Sequence, residues 1–283
     1  MARAYPLQRK PLRTSANPLA VFAQLANFWL RRDLLWHMTV RHLRGQYKQS
    51  VLGYAWAFVN PLSQMLIMSF VFSRILHVSS QNNVPYPLFL FVALVPWLFF
   101  AAALSSGTDA VTGAVSLVTK VYFPRELLPT AAVFTKLVDL FFGFVILAML
   151  MVYYGRLPEA TIYWFPLLFG IHMIFVLGLT FPLAALNLYY HDVRFLVGVV
   201  LTLWFYLTPV LYPLDNGTIP SKYRWVFDIN PNAVLIDAYR RVILYGSAPD
   251  FKRVALGAVI AVGTFLIGYY IFKRMEPGFA DSI

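Results

Sequence analysis

Six long apolar stretches constrain the fold of this sequence more than any other feature. A helix needs roughly 20 mostly apolar residues to cross about 30 Å of hydrocarbon. Hydrophobic residues make up 60% of the chain and charged residues only 12%, whereas about a quarter of the residues in soluble proteins are charged. The sequence therefore predicts an all-α integral membrane protein, with six transmembrane helices in a domain over residues 51–275. The stretches run over residues 51–73, 87–117, 130–154, 160–191, 195–212 and 254–272.

The basic residues predict the orientation of the chain. The formal net charge is +11, which in a soluble protein would suggest a nucleic-acid partner. In a membrane protein, cytoplasmic loops carry the excess of Lys and Arg and contact anionic headgroups. With the N-terminus inside, about fifteen of the 23 Lys and Arg residues lie on the cytoplasmic side. We therefore predict a multi-pass protein of the cytoplasmic (inner) membrane, with both termini in the cytoplasm, contacts to membrane lipids and no nucleic-acid partner.

The segment before the first span divides into two parts. Residues 1–27 contain prolines among basic and small residues, which predicts a flexible basic N-terminus. Residues 28–50 predict a cytoplasmic amphipathic helix in the membrane interface, because apolar residues recur at helical spacing with arginines between them. At the other end of the chain, residues 276–283 are predicted to form a cytoplasmic tail. The apolar residues of the interface helix are Phe28, Leu35, Trp36, Val40, Leu43 and Tyr47.

A predicted cytoplasmic loop, residues 118–129, contains the sequence KVYFPRELLP. Pro124 can open a one- or two-turn helix with Glu126 near its positive end. Tyr122 and Phe123 are expected to be exposed, although a simple connection needs no aromatic residues. Two interpretations stay open: the rings anchor the loop in the lipid interface, or they form a docking site for a cytoplasmic partner.

The predicted outer segment, residues 213–250, is too apolar for an ordinary solvated loop and too short and polar to cross the membrane. It contains Trp225, Phe227 and Asn230–Pro231, followed by a run that includes Arg240. Two re-entrant half-helices would fit, because non-helical backbone within the membrane must line a cavity or pack on protein. Two helices lying flat on the outer leaflet are the alternative.

Aromatic residues make up 17% of the chain, and several lie deeper than an interfacial belt of Trp and Tyr would. Their faces stack on the C–H faces of sugars without strict hydrogen-bond geometry, so they are candidate linings of a polysaccharide channel. Helix packing and lipid contact are the alternative explanation. The candidates are Trp56, Phe58, Trp97, Phe99, Phe100, Trp204, Phe205 and Tyr206.

Three cations, Arg41, Arg44 and Lys48, precede the first span. They are candidates for binding a phosphate, because guanidinium groups form two-pronged hydrogen bonds with phosphate oxygens. Nonspecific attraction to headgroups, worth about 1 kcal/mol per residue, is the alternative. Lys136 and Asp139, one helical turn apart at the start of the third span, are expected to pair with each other.

The sequence lacks the motifs that catalysis would need. No Gly precedes a Lys, so the phosphate-binding loop GxxxxGK[ST] is missing and the chain cannot hydrolyse ATP by that route. The motif HExxH is also missing, and the five histidines do not cluster at metal-ligand spacing. We therefore predict no catalytic residue, no metal site and no cofactor on this chain. A membrane-embedded enzyme acting on lipid-linked sugars is the less favoured alternative.

Five motifs, in their order and spacing, resemble those of the membrane subunits of type-2 ABC exporters that move lipid-linked polysaccharides. That family includes O-antigen, capsule and teichoic acid permeases. The resemblance covers about residues 28–275, with one departure at His191, where relatives often carry Arg. The motifs are YKQSVLGYAWAFVNPL (47–62), KVYFPRELLP (120–129), HDVRFL (191–196), LTPVLY (207–212) and NPNAVLIDAYR (230–240).

The resemblance implies a transport subunit that forms a homodimer with two copies of a separate ATPase, which would hold ATP and Mg. The implied substrate is a glycan on an undecaprenyl-type pyrophosphate carrier, bound by Arg41, Arg44 and Lys48. An O-antigen is the first choice, teichoic acid or capsule the next, and a drug or small lipid a further alternative. Contacts with the ATPase would come from Tyr122, Phe123, Pro124, Arg125 and Glu126, and an outer gate from residues 214–244, with Trp225, Phe227, Asn230, Pro231 and Arg240.

Overall fold

The computed structural model describes residues 31–47, 53–78, 83–120, 123–214 and 220–280, and the regular secondary structure of these residues is helical throughout. This is the architecture of an all-α integral membrane protein. A π-helical segment, Phe70–Ile75, extends the second helix. In chain order the α-helices are α1 (Arg32–Tyr47), α2 (Trp56–Ser69), α3 (Tyr86–Thr108), α4 (Val115–Lys120), α5 (Leu127–Tyr153), α6 (Phe165–Tyr189), α7 (Val193–Tyr206), α8 (Arg224–Ile229), α9 (Pro231–Leu244) and α10 (Phe251–Met275).

Five segments of the described chain are long and apolar enough to cross a membrane. They correspond to the first four predicted spans and to the sixth. The second ends at Thr108 instead of near residue 117, because the chain turns at Asp109 and continues as a 3-10 turn, Thr112–Ala114. The segments are Trp56–Ile75, Tyr86–Thr108, Leu127–Tyr153, Ala160–Tyr189 and Phe251–Phe279.

The fifth predicted stretch, residues 195–212, forms a shorter helix than expected. Helix α7 has 14 residues, which extend about 21 Å at 1.5 Å per residue. The chain then turns through residues 207–210. A passage through about 30 Å of hydrocarbon would need α7 together with these turns.

Helix α3 is the centre of the fold. In the most apolar 18 residues of α3, 78% of the residues are buried, against 17% in the corresponding part of the first span. It contacts α2, α5, α6, α7 and α9. A helix that is apolar on all sides is typical of a buried position, so α3 forms the scaffold against which the other helices pack.

Helices α6 and α10 run side by side in the most extensive helix contact of the fold. A Cβ atom added at Gly178 would lie 2.6 Å from the backbone nitrogen of Phe265, and one at Gly268 would overlap the carbonyl oxygen of Gly178. Helices in lipid associate through close packing at small residues, because lipid is as apolar as their side chains. Near their C-terminal ends, the Tyr189 hydroxyl donates a hydrogen bond to the carbonyl of Met275 at 3.0 Å. The pair therefore stays in contact to its C-terminal end.

Helix α1 lies against α5. Leu35 and Thr39 form its buried face, while Trp36 is 66% exposed. The described helix, Arg32–Tyr47, occupies most of the predicted segment 28–50, and residues 28–30 and 48–50 lie outside the described residues. An amphipathic helix with one face on the protein and one face free is consistent with a position at the membrane surface.

Candidate functional site

The loop over residues 118–129, predicted to contact an ATPase and called the coupling loop below, is described except for residues 121–122. Its residues 123–126 pack against the C-terminal end of the described chain. Phe123 is only 8% exposed and shares a buried cluster with Phe181, Phe272 and Phe279. The expectation that Phe123 is exposed is therefore wrong, because rings of α6, α10 and the residues after α10 cover it. Tyr122 lies outside the described residues, so its predicted exposure stays a prediction.

The expected short helix after Pro124 is a single turn. The amide of Leu127 donates to the carbonyl of Pro124 at 3.2 Å, and that of Leu128 to the carbonyl of Arg125 at 3.1 Å. Helix α5 then begins at Leu127. Pro129 is compatible with this start because it falls in the first helical turn, where a missing N–H is tolerated. The third span therefore begins two residues before Pro129.

Arg125 and Glu126 point towards the C-terminal end of the chain. The Arg125 guanidinium donates a hydrogen bond to the backbone carbonyl of Glu276 and lies 5.6 Å from the ring centre of Phe279. Glu126 is 4% exposed, and its carboxylate accepts a hydrogen bond from the ammonium of Lys273 at 2.7 Å. The same ammonium donates to the Glu276 carboxylate at 2.9 Å.

Sequence reasoning missed Lys273 and Glu276 as members of this site. They lie about 150 positions from the loop, and the predicted C-terminal tail gave no reason to place them there. Lys is almost never fully buried without a partner. The available signal was a carboxylate three residues after Lys273, at the end of an apolar helix, which indicates a local ion pair.

Two of the cations before the first span, Arg41 and Arg44, lie about one turn apart on α1, and both are exposed. Arg41 also borders a cavity of about 500 Å³ between α1, α5 and the end of α3. Lys48 lies outside the described residues. Lys136 also borders the cavity and pairs with Asp139 at 3.7 Å, as the sequence predicted.

His42 lines the same cavity. Burial, followed by the charges of Lys136 and Arg41, lowers the pKa of His42 below its ordinary value. A histidine with a lowered pKa is neutral at pH 7. The charged groups that border the cavity are therefore the cations Arg41 and Lys136 and the carboxylate of Asp109. The phosphate-binding role of Arg41, Arg44 and Lys48 stays a prediction.

A buried amide joins three helices on the side of the coupling loop. The side-chain nitrogen of Asn187 donates to the carbonyl of Thr108 at 3.2 Å and to the Asp109 carboxylate at 3.1 Å. Its oxygen accepts from the amide of Arg194 at 3.1 Å. One side chain therefore fixes the end of α3, the end of α6 and the start of α7, a role that no sequence pattern indicated.

In the described part of the outer segment, residues 213–214 and 220–250, the α-helices are α8 and α9, which are joined at Asn230. The Asn230 oxygen caps α9 by accepting from the amide of Asn232, and it also accepts from the indole nitrogen of Trp204 at 3.0 Å. Pro231 occupies the first position of α9, where its missing N–H costs nothing. Trp225 is 61% exposed, and Phe227 meets Tyr212 edge to face. Asn230 therefore ties the outer segment to α7.

Arg240 lies in the core of this region and is only 3% exposed. Its guanidinium donates to the carbonyls of Pro209 and Val210 at 2.6 Å each. Further hydrogen bonds reach Phe89 and Tyr212. The charge also lies 3.6 Å from the ring centre of Phe89, a favourable cation–π geometry. Arg240 therefore satisfies the irregular backbone after α7 and joins it to α3.

The candidate channel aromatics differ in their exposure and fall into three groups. Trp97, Phe99 and Phe100 are buried among the helices of this chain, where Trp97 contacts Phe205 and Phe100 contacts Trp204. Trp56 and Tyr206 are 50% and 62% exposed, while Phe58, Trp204 and Phe205 are half-buried. The exposed rings present the largest accessible surface of these candidates. Their role in a channel stays a prediction.

Comparisons with known proteins place the sequence of this chain in a family. The chain is 33% identical over 253 residues to the O-antigen export system permease protein RfbA of Myxococcus xanthus. The aligned region covers 89% of this chain and 96% of that protein. It is 28% identical to the protein of the same name from Klebsiella pneumoniae, over 89% of this chain and 95% of the relative. The polysialic acid transport protein KpsM of Escherichia coli is 25% identical, over 86% and 93%. Residues 33–244 match the ABC-2 type transporter family, and the chain therefore belongs to that family.

Proposed function

We propose that this chain is the transmembrane subunit of an ATP-driven exporter that moves an undecaprenyl-pyrophosphate-linked polysaccharide of the O-antigen type across the cytoplasmic membrane. The observation that carries the proposal is the 33% identity to an O-antigen export permease over 96% of that protein's length. The five long apolar helices and the exposed aromatic rings are compatible with a membrane-embedded path for a glycan.

The energy for transport comes from a separate subunit in this proposal. The sequence has no phosphate-binding loop of its own, so ATP and Mg are held by a partner ATPase. Two copies of this chain and two of the ATPase form the transporter. Helix α7 and the turns after it complete a sixth span, which leaves both termini in the cytoplasm, where the basic residues of the N-terminal segment meet anionic lipid.

Transport follows from a two-state motion of packed helices. The cations of α1 bind the carrier's pyrophosphate at the cytoplasmic surface, and the ATPase contacts the coupling loop around Tyr122. Closure of the ATPases shifts the spans as rigid bodies and biases the channel towards its open form. The glycan then passes along exposed aromatic rings, and α8 and α9 act as a re-entrant outer gate. The lipid tail stays in the bilayer.

A capsule polysaccharide is the second candidate substrate. It is favoured by the 25% identity to the polysialic acid transport protein KpsM over 93% of that protein. The physical mechanism is the same for both substrates. Deleting the gene in its host separates them, because the glycan that disappears from the surface and accumulates inside on its lipid carrier identifies the substrate. If the surface glycans were unchanged after deletion, the exporter proposal would be wrong.

The role of the α1 cations gives a specific prediction. The double substitution Arg41→Ala and Arg44→Ala is expected to lower the export rate about tenfold or more, because each charge-assisted hydrogen bond to phosphate contributes about 1.5–3 kcal/mol. Export is measured as surface glycan per amount of chain in the membrane. The matched control is Arg31→Ala with Arg32→Ala, on exposed positions of the same segment. Equal losses in both pairs would instead indicate nonspecific attraction to headgroups.

A further inference from the structure

The residues after α10 form a short turn that folds back onto the chain. This C-terminal turn, Glu276–Ala280, contacts α4, and Phe279 in it has no exposed surface. The ring of Phe279 lies 5.4 Å from that of Phe272 and 6.1 Å from that of Tyr189. A tail that only ended the chain would leave such a ring in solvent or in lipid. Phe279 instead fills the space between α6, α10 and the coupling loop.

The polar groups of the same turn hold the other side of the loop. The amide of Arg125 donates to the Glu276 carboxylate at 3.4 Å, and its guanidinium donates to the Glu276 carbonyl. The ammonium of Lys273 bridges the carboxylates of Glu126 and Glu276. Two cations and two carboxylates therefore form a neutral cluster, in which both Lys273 and Glu126 have side chains less than 8% exposed.

We propose that Lys273, Glu276 and Phe279 form a seat that fixes the coupling loop to the end of α10, and that they are positioning residues for energy coupling; the inference rests on the proposed function. Phe123, Arg125 and Glu126 contact the seat. The seat passes the motion of the loop to α10, and through the close packing at Gly178 and Gly268 also to α6.

Burial of the charged cluster favours one position of the coupling loop. A buried charge that loses its partner carries a large desolvation penalty. If the loop left the seat, Glu126 and Lys273 would lose the hydrogen bond between them. The loop therefore has one strongly preferred position, and force applied to it moves the helices instead of deforming the loop.

The test compares substitutions of Lys273 in the chain co-purified with its ATPase and reconstituted in lipid. Lys273→Met is expected to lower the glycan exported per ATP hydrolysed at least tenfold, while the KM for ATP and the amount of bound ATPase stay within about twofold of wild type. Lys273→Arg, which keeps the charge, is expected to restore most of the coupling. The matched control is Arg274→Met, an exposed cation at the next position, which should export as wild type does.

A second measurement reads the seat without the ATPase. The sequence contains no cysteine, so Phe123→Cys provides a single thiol at a buried position. A membrane-impermeant maleimide should label it about tenfold faster when Lys273→Met or Phe279→Ala is also present. Equal labelling in all backgrounds, or coupling that Lys273→Met leaves unchanged, would overturn the seat. Failure of the wild-type chain to bind any ATPase would refute the proposed function instead, and the labelling result would still decide the seat.

Discussion

Adding a single methyl group at Gly178 or Gly268 is expected to destabilise the protein more than an alanine substitution at other glycines of the same helices. Gly178→Ala places a Cβ 2.6 Å from the Phe265 nitrogen, and Gly268→Ala overlaps the Gly178 carbonyl. Both collisions are with backbone, so no flexible side chain can move away. Overpacking of this kind costs about 1–3 kcal/mol or more, and the separation of α6 from α10 should appear as a lower Tm in lipid nanodiscs.

The same helices supply the controls for this experiment. A Cβ at Gly170 in α6 or at Gly263 in α10 meets no atom within 4 Å. Gly170→Ala and Gly263→Ala should therefore leave the Tm unchanged or raise it slightly, because alanine is the better helix former. Equal behaviour of all four variants would contradict the close contact between α6 and α10.

Loss of Arg240 is expected to have the second large effect. Arg240→Met keeps an unbranched side chain but leaves the carbonyls of Pro209 and Val210 without the donors they have in the structure. An unsatisfied buried polar group costs about 1–3 kcal/mol. We therefore expect a loss of about 3 kcal/mol in the free energy of unfolding, together with loss of export. Unfolding of the purified chain and surface glycan in cells provide the two measurements.

Arg241 is a matched control because it is the next residue on the same helix. Its guanidinium pairs with Asp237 at 2.9 Å in a partly exposed i, i+4 bridge, and such bridges contribute less than about 1 kcal/mol. Arg241→Met should therefore change the Tm little. Arg240→Lys should fall between Met and wild type, since an ammonium keeps the charge but lacks the planar fork of donors. A stable, active Arg240→Met variant would refute the role of Arg240.

The sequence predicted the class of fold and most of the spans because apolar length is a strong signal in lipid. The first span, the third and the fourth appear within a few residues of their predicted positions. The pair Lys136–Asp139 was also predictable, because residues three apart on a helix are neighbours. These features depend on local sequence and not on the arrangement of distant helices.

The contacts that build the site could not be predicted in the same way. Phe123 is buried, and Arg240 donates hydrogen bonds to carbonyls, because residues distant in the sequence pack against them. The hydrophobic pattern of a loop does not show which helix end will cover it. Residues 276–280 illustrate the point, since a short polar tail of ordinary appearance contains the fully buried ring of Phe279.

The most direct test of the account is ATP-driven glycan translocation by purified components. The chain and its partner ATPase are reconstituted in liposomes with a polysaccharide on undecaprenyl pyrophosphate, and the glycan that becomes protected inside vesicles with outward-facing ATPase is measured. We predict protection that requires hydrolysable ATP, the ATPase and this chain together. Glycan that stays unprotected although the chain binds an active ATPase would contradict the central claim.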